Sequence, residues 1–322
     1  MRIYQNDISL PSQSSLLRFE PEPNSRPLNL VFRFASPLII AIFLLSQGGC
    51  IHKKKQRYPR LKVDSNLKLQ ARVKQYYNLG WIAGSGGNLE LAINQFREAL
   101  RLDPDHVGAT HDMGLALAKL GKTRQAIEYF QKTLVIDSTY EEAYFNLSTA
   151  YFRMKQSQLG HEYLERCLEL NPDHPKSLLR KAGLAESQGE LRQATRIYSH
   201  YVKTYPKDYK NRARLGSLFF QQGLDENAKI ELIKAVKKVQ TSFVFYQLGV
   251  IFHRQGKFNQ AGRYYQEVLK KDPNHVDTLG SIAEIYERKG NLKKALIHYE
   301  RASGLEPEND YLRSKVSKLR QQ

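Results

Sequence analysis

The stretch from Asn78-Leu79-Gly80-Trp81 to Leu102-Asp103-Pro104-Asp105 decides the fold, because its skeleton returns six more times along the chain. A small residue falls at Gly80, Gly114, Ser148, Ala182, Gly216, Gly249 and Ala283, at steps of 34, 34, 34, 34, 33 and 34. Twelve positions after each comes a second small column: Ala92, Ala126, Gly160, Ala194, Ala228, Ala261 and Ala295. Four positions later stands a ring or a leucine: Phe96, Phe130, Leu164, Tyr198, Leu232, Tyr265 and Tyr299. Apolar residues spaced by three or four mark two amphipathic helices per copy, a first (A) and a second (B). Between them Gly87, Gly121, Gly189, Gly223, Gly256 and Gly290 supply the positive φ that ends helix A cheaply.

Departures from the pattern carry expectations of their own. Lys155 stands where the third copy should have its turn glycine, which predicts a strained or a longer turn. Pro104, Pro172, Pro206, Pro273 and Pro307 stop helix B, since proline cannot continue a helical ladder. Ser138 and Gln240 lose that stop. Together with the single 33-residue step, Gln240 marks the junction of the fifth and sixth copies as the place to expect irregularity.

These columns resemble the tetratricopeptide repeat family over residues 73–309, as copies at 73–106, 107–140, 141–174, 175–208, 209–241, 242–275 and 276–309. The resemblance implies an all-α fold, an α-solenoid wound as a right-handed superhelix of seven helix-turn-helix repeats. It also implies a concave groove, lined by helix A residues, for protein or peptide partners. Residues 310–322 place Tyr311, Leu312, Val316 and Leu319 on one stripe and are expected to form a C-terminal capping helix.

Ahead of the repeats the chain changes character. Residues 1–50 form a leader whose segment 34–46, Phe34 to Ser46, is uncharged and apolar over 13 residues. A membrane-spanning helix needs about 20, so the run suits an export signal better. Gln47-Gly48-Gly49-Cys50 follows directly and resembles a bacterial lipoprotein signal, which would make Cys50 the lipidated first residue of the mature protein. Gln47 departs from the aliphatic residue usual there, and an uncleaved signal anchor is the alternative. Of the net charge of +18, residues 1–50 carry +1, the basic linker 51–72 carries +7, and the repeats and cap carry +10. Basic charge directly after the apolar run also fits retention on the cytoplasmic side or a contact with anionic headgroups. The expected location is thus membrane-associated, as an envelope lipoprotein facing the periplasm, with a cytoplasmic or signal-anchored protein as the alternative.

No catalytic set, metal site or cofactor is indicated. Gly84-Ser85-Gly86-Gly87 lacks the preceding strand and following Lys-Ser or Lys-Thr of a nucleotide loop. His106, His174 and His275 share one turn column, so the period accounts for them. Cys167 shares a helix B column with Ala99, Ala235 and Ala302 and is expected to be buried and inert. The informative positions lie on helix A of the third to fifth copies: Phe145, Asn146, Phe152, Arg153, Lys176, Arg180, Lys210 and Arg214.

Some family members clamp a peptide's terminal carboxylate at five positions. The last three correspond here to Asn146, Lys176 and Arg180, while His111 and Leu115 occupy the first two. The expected partner is a protein, entering as an acidic or C-terminal peptide held by Lys176 and Arg180 and flanked by Phe145 and Phe152. The membrane is a second expected partner, through the N-terminal segment; no small-molecule substrate is expected. A nucleic-acid or anionic-surface binder using the excess of Lys and Arg, and a soluble co-chaperone-like adaptor, are the alternatives.

Overall fold

The computed structural model describes residues 65–322. The apolar run 34–46, Cys50 and linker residues 51–64 lie outside the described residues. The described residues divide into two compact units, up to Lys122 and from Thr123 onward. All their regular elements are α-helices, fifteen in tandem helix-turn-helix order. None is long and apolar enough to cross a membrane.

The first unit contains α1 (Ser65–Ser85), α2 (Leu89–Leu102) and α3 (Val107–Lys119). Helix α1 begins eight residues before Val73, so the expected linker 51–72 yields its last residues to helix. The α1/α2 seam depends on Gly80, where a Cβ would sit 2.6 Å from the Phe96 ring. Tyr77 joins α1 to α3: its hydroxyl donates to Asp112 Oδ2 at 3.0 Å, and its ring lies 4.9 Å from that of His106.

The second unit runs through α4 (Thr123–Ile136), α5 (Glu141–Arg153), α6 (Ser157–Leu170), α7 (Pro175–Ser187), α8 (Leu191–Thr204) and α9 (Tyr209–Gln221). It continues through α10 (Asp225–Ala235), α11 (Ser242–Arg254), α12 (Phe258–Lys271), α13 (Val276–Arg288), α14 (Leu292–Leu305) and α15 (Asp310–Arg320). Within the second unit the two small columns meet across the A/B seams. In α5/α6 the contact is polar: the buried Ser148 hydroxyl donates to Gly160 O at 2.7 Å, satisfying a group that burial would otherwise penalise. Around the seams sit apolar clusters, such as Leu248, Ile251, Ala261 and Tyr265 with Ala228 and Leu232 of the preceding pair.

The irregular positions behave individually. Lys155 adopts φ +61, the only non-glycine with positive φ among the described residues. Its turn is no longer than the others. The N–H of Lys155 reaches Phe152 O at 3.0 Å and that of Gln156 reaches Tyr151 O at 2.9 Å, the pattern Gly189 and Glu190 make after α7. The strain therefore stays in the backbone.

Loss of proline at Ser138 leaves α4 at 14 residues, because Asp137 Oδ1 accepts both the N–H and the hydroxyl of Thr139, at 2.9 and 2.7 Å. Asn171 and Asp272 make the same local turn after α6 and α12. In the fifth copy that position is Val239, followed by Gln240, so both stop signals are missing. There α10 ends after 11 residues.

The three column histidines are helix N-caps: Nδ1 of His106, His174 and His275 accepts the N–H of Ala109, Ser177 and Thr278. Cys167 is fully buried, as its column predicts. In α15 Leu312 and Leu319 are buried on the last pair and Val316 packs against them. Tyr311, expected on the same stripe, is instead 55% exposed. Its helix turns it outward, where the Lys315 ammonium lies 5.7 Å from its ring.

One pair of columns distinguishes the fifth copy from the third and the sixth. Tyr144 meets Tyr163 at 6.2 Å in the third copy and Phe245 meets Tyr264 at 6.4 Å in the sixth, tying helix A to helix B through rings. The equivalent residues of the fifth copy are Arg212 and Glu231, which form an ion pair with side chains only 9% and 14% exposed. Arg212 also donates to Val202 O and Pro206 O, at 3.3 and 3.1 Å.

Two stability effects are expected. Lys155→Gly should raise unfolding stability by about 1 kcal/mol, the usual cost of a left-handed non-glycine, measured by thermal or urea denaturation; no gain would mean that the turn is unstrained. Glu231→Ala should cost about 3 kcal/mol because it strands a buried guanidinium, whereas Arg212→Phe with Glu231→Tyr should be close to neutral. Equal losses in the two proteins would contradict this.

Candidate functional site

Helices α5, α7 and α9 carry the eight groove positions read from the sequence, and all eight fall in the second unit. His174 and Pro175 set the start of α7: the histidine caps it and the proline occupies its first turn, where no N–H is needed. This fixes Lys176 and Arg180 one turn apart on the same face.

Lys176 is already engaged. Its Nζ lies 3.2 Å from Glu142 Oε2 and 5.8 Å from the Phe145 ring centroid. His174 approaches the same carboxylate, with Nε2 3.4 Å from Oε1, and its ring lies 5.5 Å from Phe145. Contact with His174 holds the Glu142 pKa down, burial opposes it, and the charge on Lys176 adds to the lowering; the carboxyl titrates at about 2. Burial disfavours a charge on His174 while Cys167 and Glu142 favour one. The cap bond into Nδ1 requires that nitrogen unprotonated, so the geometry selects the neutral ring with its proton on Nε2, towards Glu142.

Arg180 is different. It is half-buried, its guanidinium lies 6.0 Å from the Phe152 ring, and among the described residues no carboxylate stands within ion-pair distance of it. Burial, and then the neighbouring charge of Arg153, both lower its pKa. Gly183, one turn further along α7, opens space beside it: a Cβ there would meet nothing within 4 Å.

The remaining positions are less concentrated. Arg214 is paired, Nε to Glu186 Oε2 at 2.7 Å. Lys210 is exposed and makes no ion pair among the described residues. Asn146 is half-buried on α5. Phe152 packs into the α5/α6 seam, where a Cβ on Gly160 would be 2.9 Å from its ring, and His161 meets it edge-on at 5.1 Å. Phe145 and Phe152 are thus partnered within the protein. Of the two further clamp positions, His111 and Leu115, both belong to the first unit, where His111 is buried beside Asp112.

Reading the sequence for single residues overlooked Glu142, Glu186 and Gly183. The signal that finds the two glutamates is the period itself. Residues 34 apart, Glu142 and Lys176, or 28 apart, Phe152 with Arg180 and Glu186 with Arg214, are neighbours on successive A helices.

Comparison with known proteins agrees with this architecture. Tetratricopeptide-repeat models match residues 240–305, and 109–139 with 141–174; a TPR-repeat model matches 85–121. Anaphase-promoting complex subunit 3 of Schizosaccharomyces pombe is 28% identical over 47% of this chain and 23% of its own length. The photosystem I assembly protein Ycf3 of Prochlorococcus marinus (strain NATL1A) is 31% identical over 24% of this chain and 47% of its own. The chain thus spans less than half the length of these curated relatives. The C-terminal part of a TPR repeat-containing protein from Cytophaga hutchinsonii shares the fold, with a TM-score of 0.57 at 12% identity, over 74% of this chain and 99% of that one. The helical pairs, the 34-residue columns and the matched segments coincide: the chain carries tetratricopeptide repeats, at residues 85–139, 141–174 and 240–305.

Proposed function

We propose that this protein is a non-catalytic scaffold that binds an acidic protein segment across α5, α7 and α9, and that it is held at a membrane by its N-terminal segment. Arg180 carries the reading. A half-buried guanidinium beside a second arginine, without a carboxylate of its own, lacks the counter-charge that burial normally demands. A ligand carboxylate supplies it, in a charge-assisted and geometrically directed hydrogen bond. The open space at Gly183 gives the ligand backbone room to approach. Lys176 serves as a second donor once the ligand competes with Glu142.

Two relatives, named for a subunit of the anaphase-promoting complex and for photosystem I assembly, support a role in assembling larger complexes. The apolar run 34–46 and Cys50 support attachment to an envelope membrane. Mass spectrometry of the mature N-terminus tests that part: a lipid on Cys50 is expected, and an intact Met1 would favour a signal-anchored or cytoplasmic protein instead.

Arg180→Glu should leave helicity unchanged and weaken capture of an acidic peptide by about tenfold or more, the value of a desolvated charge-assisted contact. Unchanged capture would defeat the assignment. Loss of binding to DNA in step with peptide loss, with the steep salt dependence of counterion release, would favour the nucleic-acid reading instead.

Glu142→Gln should free Lys176 and tighten the same peptide several-fold. It should also remove stability in a pH-dependent way. A carboxyl at about 2 in the fold and near 4.5 when unfolded stabilises fully above the unfolded value and loses its contribution as pH falls from 4.5 towards 2. Melting curves of wild type and variant should therefore differ at neutral pH and converge through that window.

A further inference from the structure

The fifth copy differs from its neighbours on the side away from the groove residues. Where rings join helix A to helix B in the third and sixth copies, Arg212 and Glu231 form a buried ion pair. A cavity of about 460 Å³ opens there, between α8 and α10 and above α9. Its walls include the buried Val202 and Leu215 together with Phe219 and Ile230. The fourth copy, with Leu178 and Ile197 at the same two columns, has a similar cavity of about 410 Å³. The fourth and fifth copies, which have no aromatic pair at these columns, share this open space.

Helix α10 is also unusual on its outer surface. Its inward residues Ala228, Leu232 and Ala235 are fully buried, so it needs no other apolar face to hold its place. Yet Ile230 and Ile233 are 49% and 38% exposed. The equivalent positions of the third, fourth and sixth copies are Glu162 and Glu165, Arg196 and Ser199, and Arg263 and Gln266. Only the last copy shares an isoleucine, at Ile297. Around the cavity mouth Lys203 and Lys234 are exposed, while Glu231 is engaged by both Arg212 and Lys234. The lining is apolar within and net positive at the edge.

We propose that the α8–α10 cavity is a second docking site, independent of the groove, for a protein segment that combines leucine-like side chains with carboxylates. Apolar side chains enter between Val202, Leu215 and Ile230, and the carboxylates meet Lys203 and Lys234. The volume lies in the range of small-ligand and side-chain pockets, with few polar groups to fix orientation. Arg212 and Glu231, held to each other and to backbone carbonyls, fill less of the seam at its base than two rings would.

A fluorescein-labelled peptide, Asp-Leu-Leu-Asp-Asp-Leu-Leu-Asp, titrated into the full chain tests this by polarisation. It should bind, and versions with serine for leucine or lysine for aspartate should bind at least about tenfold more weakly. Arg212→Phe with Glu231→Tyr restores the residues of the sixth copy and fills the cavity; Ile230→Arg with Ile233→Gln restores that copy's exposed residues without touching the core. Each pair, placed in an Arg180→Glu background so that the groove does not contribute, should weaken binding about tenfold relative to Arg180→Glu alone. Unaltered binding in both double variants, or equal binding of the lysine peptide, would overturn the proposal. So would a concentration-dependent dimer in sedimentation that Ile230→Arg with Ile233→Gln abolishes, which would assign the surface to a second copy.

Discussion

The close approach of helix A to helix B is the constraint from which the rest of the structure follows. At Gly249 a single added carbon would come within 2.4 Å of the Tyr265 ring, and at Gly216 within 2.7 Å of Leu232. Small residues in one column let the large residue of the other reach the partner backbone, and dispersion over that contact favours pairing. Once A and B are locked, each A helix has one face committed to its B helix and another free of it. Lys176, Arg180 and Arg214 are thereby brought beside Glu142, Phe152 and Glu186 of the preceding A helices.

Electrostatics then divides those residues into two kinds. Lys176 and Arg214 have glutamates supplied by the neighbouring helix, and such pairs orient side chains more than they stabilise the fold. Arg180 faces Arg153 and a ring. In a protein with a net charge of +18, Arg180 stands out as a half-buried cation with no carboxylate within ion-pair distance among the described residues. The fifth copy shows the converse: charge used inside a seam, with cavity space rather than affinity for an ion as the result.

Much of this was legible in the residues. The 34-residue columns determined the paired helices, the turn glycines and the burial of Cys167, because each expresses a local rule repeated until chance is excluded, and the apolar stripe after Asn309 marked the capping helix. The same columns named the groove positions. The pairing of those positions was less visible, since Glu142 and Glu186 look like ordinary solvated carboxylates until the repeat brings them beside Lys176 and Arg214. Ser138 appeared to lose a stop signal that Asp137 in fact supplies, an exchange visible only when the side chain is seen folding back on Thr139.

The sequence by itself determined that this is an all-helical array of tetratricopeptide repeats and where each copy begins its small-residue seam, because periodicity is a property of the chain alone. It also determined that the fifth copy would break the pattern. Only the tertiary structure decided which cations retain a carboxylate, that Lys155 absorbs strain without lengthening its turn, and that Arg212 and Glu231 replace a ring pair across a cavity. The first and last of those outcomes depend on distances between residues 19 to 34 apart in the chain. Packing sets those distances, and composition does not.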